Sequence, residues 1–322
     1  MPRPAGRGPF LELGPRSFDL THRALVMGIL NRTPDSFYDR GATYDLDAFF
    51  RRAEQLVAEG ADILDVGGVK AGPGPEVTEA EELDRVVPAI AALARRFDVP
   101  ISVDTWRAEV ARQAYGAGAV MGNDISGFAD PGYLPAAAAA GAAVVATHIR
   151  LAPRVPDPEP HYDDVVADVA RFLAERADRA RAAGVPASRI VLDAGLDLGK
   201  TAEQSLALLR ASTELARPGL PLLLSASNKT FLGVTLGLEI GERRQASLAA
   251  AALGVSLGCR LLRVHDVAGT AVVRDALAAV LEAGSAEPGT RPADPRSFEG
   301  ASSTAAAAAG ASGPAAPGAV PG

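Results

Sequence analysis

Eight short apolar runs, each followed by a longer segment with helical spacing, constrain the fold of this chain more than any other feature. The runs are rich in β-branched and aliphatic residues, as in strands that are buried on both faces of a sheet. They cover residues 24–30, 61–68, 100–105, 120–126, 142–149, 190–195, 221–227 and 260–266. This alternation predicts successive βα units around a parallel sheet.

The number of these units distinguishes between two α/β architectures. Eight βα units within about 260 residues match the size of a closed (β/α)8 barrel, a TIM barrel, which we predict as a single domain. An open doubly wound sheet is the alternative. A dinucleotide-binding sheet of that kind is expected to carry G-x-G-x-x-G after a strand, and no run here is followed by it. The closed barrel is therefore preferred.

Composition divides the chain into three parts. Residues 1–19 are interrupted by Pro and Gly and lack the apolar segment of a signal peptide or a membrane anchor, so we predict an N-terminal extension. Residues 20–284 form the predicted barrel. Residues 285–322 are rich in Ala, Gly, Pro and Ser, which predicts a disordered tail because such a segment buries too little apolar surface to offset its ordering entropy.

Charge and cysteine content limit the partners and the location. The formal net charge is -7 and no stripe of Lys and Arg is visible, so we predict that the chain binds neither nucleic acid nor a membrane. The lone Cys259 cannot form an intrachain disulfide. Because a single thiol fits a reducing compartment, the predicted location is cytoplasmic.

Polar side chains follow the apolar runs at their C-terminal ends. They are Asn31, Asp65, Asp104, Asn123, Asp124, His148, Asp193, Ser227, Lys229, Arg263, His265 and Asp266. In a barrel these ends share one face, where the active sites of such enzymes lie. One Asp alone could equally cap a loop, but several charges at one mouth are costly unless they are paired or bound to a ligand. Arg263 and His265, two residues apart on one strand, predict an anion site.

Nucleotide and metal signals are weak. Gly199–Thr201 reads "GKT", but the preceding residues lack the upstream glycine of G-x-x-x-x-G-K-[ST], so the sequence does not predict a P-loop. No His or Cys spacing typical of a metal site occurs. A magnesium ion held by oxygen atoms and ligand phosphates would leave no such pattern.

Seven segments of the chain resemble, in order, those of dihydropteroate synthase. They read "MGILNRTPDSFYDRG", "GADILDVGG", "ISVDT", "GNDISG", "DAGLDLGKT", "SNKTFLG" and "RVHDV". The resemblance extends over nearly all of residues 20–283. It implies a cytoplasmic, homodimeric (β/α)8 transferase of folate biosynthesis. Such an enzyme joins 6-hydroxymethyl-7,8-dihydropterin diphosphate to p-aminobenzoate and releases diphosphate.

The resemblance also implies roles for individual residues. The substrate-binding positions are Asp104, Asn123, Asp193, Ser227, Lys229, Arg263 and His265. The catalytic positions are Asn31, Asp35, Lys229, Arg263 and His265. Asn31 would also contact Mg²⁺, the implied cofactor. In the implied mechanism diphosphate departs first, and the resonance-stabilised pterin cation is attacked by the arylamine, so that catalysis consists mostly of leaving-group stabilisation and positioning.

The chain departs from the family pattern in the half of the site that binds the second substrate. Where the family has "GGESTRPG", this chain has "GGVKAGPG", so Lys70, Ala71 and Gly72 replace Ser, Thr and Arg. Further departures are Thr147 for Met, Asp197 for Gly, Leu198 for an aromatic residue and Asn228 for Arg. The pattern resembles a divergent branch of the family. Two alternatives follow: an enzyme with a different second substrate, and a non-catalytic pterin-binding or partner-binding protein.

Overall fold

Eight parallel strands form a closed barrel in the computed structural model of the chain, which describes residues 9–32, 46–72 and 74–283. The strands are β3 (Leu25–Asn31), β4 (Ile63–Gly67), β5 (Ile101–Asp104), β6 (Met121–Asp124), β7 (Ala143–Thr147), β8 (Ile190–Asp193), β9 (Leu222–Leu224) and β10 (Cys259–Val264). Each of the eight predicted runs corresponds to one strand, and β3 and β10 extend one residue beyond their runs, to Asn31 and Cys259. The last strand pairs with the first, with Leu261 opposite Leu25, which closes the sheet. The predicted (β/α)8 barrel is confirmed, and the open sheet is excluded.

Helices follow the strands and cover the outside of the barrel. They are α1 (Leu46–Ala58), α2 (Glu79–Arg96), α3 (Ala108–Ala117), α4 (Tyr133–Ala140), α5 (Val165–Ala182), α6 (Ala202–Arg210), α7 (Ser212–Leu215), α8 (Thr230–Leu236), α9 (Arg244–Ser256) and α10 (Val267–Ala283). The start of α2 shows how the sequence sets such a boundary. Thr78 accepts a hydrogen bond from the Glu81 backbone N–H, and the Glu81 side chain accepts one from the Thr78 backbone N–H, so two otherwise unpaired donors are satisfied.

Two apolar clusters explain why the strands read as continuous hydrophobic runs. Successive side chains of a strand point to opposite faces. Val26 and Leu64 lie in the cluster between the strands and the helices, whereas their neighbours Met27 and Ile63 lie in the cluster inside the barrel. Both faces of each strand are therefore buried. Among the described helices, none combines the length and the apolar character that crossing a membrane would require.

A β-hairpin within the predicted N-terminal extension covers one end of the barrel. Strands β1 (Phe10–Leu13) and β2 (Arg16–Asp19) pair antiparallel. Leu11 and Leu13 are fully buried in the interior cluster, beside Leu25 and Met27 from the first half of β3. The hairpin therefore covers the end where the strands begin, and the opposite end, where the strands finish, is here called the mouth. The predicted tail, residues 285–322, lies outside the described residues.

Candidate active site

The strand register brings three predicted positions, Asn31, Asp104 and Asn123, into one row with Gly67 at the mouth. Asn31 is opposite Gly67, Gly67 is opposite Asp104, and Asp104 is opposite Asn123. A Cβ atom on Gly67 would lie 3.1 Å from Asn31 Oδ1 and 3.5 Å from Asp104 Oδ2. Glycine at this position therefore allows the side chains of the neighbouring strands to approach each other.

Arg263 links the row to a buried carboxylate. Its Nε donates to Asp65 Oδ2 at 2.7 Å and its Nη2 donates to Asp104 Oδ2 at 2.6 Å. Asn123 Nδ2 also donates to Asp65 Oδ2, at 3.3 Å. Asp65 is fully buried, and its Oδ1 has no hydrogen-bond partner among the described residues. Two nitrogens of Arg263 are thus bound to carboxylates, and Nη1 makes no hydrogen bond within the described part of the chain.

Asp65 was missing from the predicted set of binding residues, although its position at a strand end was visible in the sequence. Its charge matters for the neighbouring carboxyl. Burial raises the pKa of Asp104 to about 7, with Arg263 opposing this shift and Asp65 adding to it. A carboxyl group that titrates near neutral pH can either accept or donate a proton in a hydrogen bond with a heterocycle.

Asp193, the last residue of β8, and Lys229, directly before α8, lie on neighbouring βα units at the mouth. Asp193 Oδ1 accepts from the Gly195 backbone N–H at 2.8 Å, and Lys229 Nζ donates to the Leu196 carbonyl oxygen at 2.5 Å. Burial raises the pKa of Asp193, and the Lys229 charge opposes this shift. Burial lowers the pKa of Lys229, and the Asp193 charge opposes that shift. The two predicted residues therefore stabilise each other's charged forms.

Ser227 and His265 contact each other at the other side of the mouth. Ser227 Oγ lies 3.0 Å from His265 Nδ1 and accepts from the His265 backbone N–H at 3.2 Å. Burial, together with the charges of Arg263 and Arg52, lowers the pKa of His265 to about 4. The neutral ring can accept the Ser227 hydroxyl proton at Nδ1, which leaves an N–H at Nε2 for a ligand.

Two of the departures from the family pattern occupy left-handed backbone positions. Asp197 has φ +66° and Asn228 has φ +59°, a region in which Asp and Asn are tolerated better than most residues. The Asp197 carboxylate accepts from the backbone N–H groups of Thr230 at 2.5 Å and Phe231 at 3.2 Å. Asp197 thus joins the loop after β8 to the start of α8, directly beside Lys229.

Lys200, which belongs to the weak "GKT" signal in the sequence, is buried. Its Nζ lies 2.9 Å from His148 Nδ1 and donates to the carbonyl oxygens of Gly195 and Leu198, each at 2.9 Å. Burial lowers the pKa of Lys200 to about 7. These contacts hold the loop after β8 against the end of β7. The lysine therefore shapes the mouth, and its contacts are not those of a P-loop lysine.

Side chains of the described residues do not form a metal site by themselves. These residues contain no group of three or more His, Cys, Asp and Glu side chains that could hold a metal ion, and the predicted catalytic residue Asp35 lies outside them. Asn31 Oδ1 lies at the mouth and is an oxygen atom that can coordinate a metal ion. Mg²⁺ is commonly held by few protein ligands together with water and phosphate oxygens. The residues therefore fit Mg²⁺ as an ion that binds together with a diphosphate.

Known proteins are similar to this chain along most of its sequence. The sequence pattern of the family described as pterin binding enzyme matches residues 27–265. A Mycobacterium leprae protein named inactive dihydropteroate synthase 2 is 47% identical over 276 residues, which cover 84% of this chain and 92% of that protein. A dihydropteroate synthase of Synechocystis sp. is 43% identical over 262 residues, covering 80% of this chain and 91% of the relative.

A solved structure extends the similarity to the coordinates. The crystal structure of Yersinia pestis dihydropteroate synthase with a sulfonamide drug superposes with a TM-score of 0.80 at 39% sequence identity. The match covers 85% of this chain and 99% of the Yersinia chain. Together, the sequence match, the relatives and the shared barrel show that this chain belongs to the pterin binding enzyme family, among proteins of the dihydropteroate synthase type.

Proposed function

We propose that this chain is a transferase that condenses 6-hydroxymethyl-7,8-dihydropterin diphosphate with p-aminobenzoate and releases diphosphate, as a dihydropteroate synthase. The observation that supports this proposal is the network in which Arg263 donates to both Asp65 and Asp104 at the mouth. A half-buried arginine between two carboxylates fixes their positions. It leaves Asp104 at the rim, with its side chain 14% exposed, where it can bind a polar heterocycle.

The pterin binds between two pairs of side chains at the mouth, Asp104 with Asn123 and Asp193 with Lys229. Asp104 and Asn123 lie on adjacent strands and offer acceptors and donors to the amino-pyrimidine edge of the ring. Asp193 offers a second carboxylate, and the Lys229 ammonium can donate to the ring carbonyl. Because these side chains are held by hydrogen bonds to the protein, little ordering is required when the pterin binds.

Diphosphate binds on the side of Asn31, Arg263 and His265. Arg263 Nη1 and the His265 ring provide donors to phosphate oxygens, and these donors stabilise the negative charge that develops as the C–O bond to the diphosphate breaks. Mg²⁺, held by Asn31 and the phosphate oxygens, would supply further charge neutralisation when bound. The pterin cation that remains is attacked by the arylamine nitrogen, which loses a proton to restore neutrality.

A second candidate function is a pterin-binding protein that does not use p-aminobenzoate. The observation that favours it is the loop after β4, where Lys70, Ala71 and Gly72 stand in place of hydroxyl groups and a guanidinium. The high identity to a relative named inactive dihydropteroate synthase 2 points in the same direction. This candidate covers both a different second substrate and binding without turnover.

Diphosphate release separates the candidates. The full chain is incubated with the pterin diphosphate, with and without p-aminobenzoate and with and without Mg²⁺, and diphosphate is quantified. A synthase releases it in an arylamine-dependent and magnesium-dependent manner. Binding of the pterin diphosphate without arylamine-dependent release supports the second candidate. Absence of pterin binding, measured by calorimetry, contradicts both.

Variants connect the outcome to the mouth. Asp193→Asn removes a charge but keeps the shape of the side chain, and we expect pterin affinity to fall about ten- to a hundredfold, since a hydrogen bond to a charged group contributes about 1.5 to 3 kcal/mol. The matched control is Asp178→Asn, whose exposed carboxylate pairs with Arg181 on the outside of α5. Affinity of Asp193→Asn within twofold of the unchanged protein contradicts the assignment.

A homodimer is also part of the proposal. Exposed large apolar side chains occur on α8 to α10 and on the segment between α8 and α9: Val234, Leu236, Ile240, Leu253, Val272 and Val280. Large apolar side chains that are exposed in a single copy favour association when a second copy covers them. Sedimentation of the full chain is expected to give a dimer, and Val272→Glu with Val280→Glu is expected to give a monomer.

The proposed location is the cytoplasm, in keeping with a single buried thiol.

A further inference from the structure

Arg154, in the loop between β7 and α5, extends to a different loop of the mouth. Its Nη2 donates to the carbonyl oxygens of Gly74 at 2.6 Å and Pro75 at 2.7 Å, both in the loop between β4 and α2. Its backbone has φ +67°, a conformation that is unfavourable for a residue with a long side chain. The two carbonyl contacts thus fix the guanidinium at the loop that has lost the arginine of the family pattern.

The remaining donors of Arg154 are unused. Nε and Nη1 make no hydrogen bond within the described part of the chain. Arg154 lines a cavity of about 190 Å³, together with Ala71, Gly72 and Leu198. It also lines a neighbouring cavity of about 240 Å³ beside Val69 and Lys70. The guanidinium therefore stands in the wall between two cavities with part of its donor set available.

The other charged groups that line the cavity of about 190 Å³ already form hydrogen bonds or ion pairs. Lys200 Nζ contacts His148 Nδ1 and two carbonyl oxygens. Asp157 forms a two-contact ion pair with Arg150, at 2.5 Å for each contact, and Asp197 accepts from the first turn of α8. Among the described residues that line this cavity, Arg154 is the cation whose donors remain available for an anion.

The cavity wall indicates the class of ligand. Ala71, Leu151 and Leu198 provide apolar surface, which suits a flat apolar ring, and a guanidinium binds the planar carboxylate group better than any other cation does. We infer that Arg154 is a specificity-determining residue that binds the carboxylate of an aromatic acid, the second substrate. The β4–α2 loop lacks a guanidinium, and Arg154 supplies one from the β7–α5 loop. This inference rests on the proposed function.

The test uses a matched pair of ligands that differ in charge. Binding of p-aminobenzoate and of neutral p-aminobenzamide to the full chain is measured by calorimetry in the presence of diphosphate and Mg²⁺. The unchanged protein is expected to prefer the benzoate by about tenfold or more. Arg154→Gln is expected to remove this preference by weakening the benzoate, while the benzamide stays within about twofold. Arg154→Lys, which keeps the charge but loses the planar pair of N–H donors of the guanidinium, is expected to give an intermediate preference.

Controls distinguish a binding role from a structural one. Arg171→Gln, on the exposed side of α5 beside Asp168, is expected to leave both affinities unchanged. If Arg154→Gln weakens both ligands equally, the residue only holds the loops together and the inference is wrong. Equal affinity of the unchanged protein for the two ligands also contradicts it. Separate titration with the pterin diphosphate tells these results apart from failure of the proposed function, which would appear as loss of pterin binding.

Discussion

Arg263 on the last strand of the barrel donates to Asp104, which lies 159 positions earlier in the chain, at a distance of 2.6 Å. The same guanidinium donates to the fully buried Asp65. One cation thus pairs with two carboxylates and connects β4, β5 and β10 at the mouth. Binding and stability are coupled at this point, because the residues that are expected to bind the pterin and the diphosphate also stabilise the barrel.

Replacing the cation should reveal this coupling. Arg263→Gln leaves Asp65 and Asp104 facing each other without a positive charge, and removal of one partner of a buried ion pair costs about 3 to 5 kcal/mol. We expect a loss of this size in the free energy of unfolding, measured with urea at neutral pH. Arg181→Gln, an exposed arginine that pairs with Asp178, should change stability by less than about 0.5 kcal/mol. A similar effect of both variants would show that the Arg263 network contributes little.

Gly195 provides a steric test of the loop after β8. A Cβ atom there would lie 1.9 Å from the His148 carbonyl oxygen, and the backbone has φ +64°. Gly237, at the end of α8, has nearly the same backbone conformation, φ +65°, with no atom within 4 Å of an added Cβ. Gly237→Ala is expected to cost about 1 to 2 kcal/mol from conformation alone.

Gly195→Ala should exceed this cost by about 2 kcal/mol or more, because the backbone at His148, directly after β7, must move. Thermal unfolding of the two variants side by side measures the difference. Equal losses would mean that the loop after β8 adapts to the added methyl group, and the rigid placement of Asp193 would then be in doubt.

His265 should make stability and diphosphate binding depend on pH. Its folded pKa is lowered from 6.5 to about 4 by burial and by the charges of Arg263 and Arg52, so the unfolded chain binds the proton more readily. The stabilisation is fully present above pH 6.5 and is lost as pH falls through 4. Part of the residue is exposed to solvent, which reduces the size of the effect.

Diphosphate brings negative charge to the ring and should raise this pKa, so that binding takes up a proton at about pH 5.5. Calorimetry in two buffers of different ionisation enthalpy measures the uptake. The His265→Gln variant is expected to show less uptake than the unchanged protein. Equal proton uptake by the two proteins would assign the effect to the diphosphate itself.

Sulfonamides are expected to bind this protein about tenfold or more weakly than they bind a family member with "ESTRPG" in the loop after β4. Lys70, Ala71 and Gly72 lack the hydroxyl groups and the guanidinium of that loop, and each missing hydrogen bond to a charged group is worth about a factor of ten. Calorimetry with diphosphate and Mg²⁺ present compares the two proteins. Lys70→Ser, Ala71→Thr and Gly72→Arg together should restore affinity, and equal affinity before this change would refute the argument.

The barrel itself could be predicted from the sequence because its signal is local. The strands from β3 to β10 are buried between the barrel interior and the helices, and most of them are apolar on both faces. The polar residues at the strand ends were also visible. Asp104 and Asn123 come directly after apolar residues, and the geometry of a parallel barrel requires such residues to meet at one end.

Only the tertiary structure decided how those residues are used. Asp65 and Arg263 are 198 positions apart, and no local pattern indicates that a strand-end carboxylate will pair with a cation across the mouth. The burial of Lys200 and the contact between Arg154 and the loop after β4 likewise depend on how loops from different βα units pack. Burial and apolar periodicity are properties of each segment and can be read along the chain, whereas hydrogen bonds and charge pairs depend on distances that exist only after the barrel has closed.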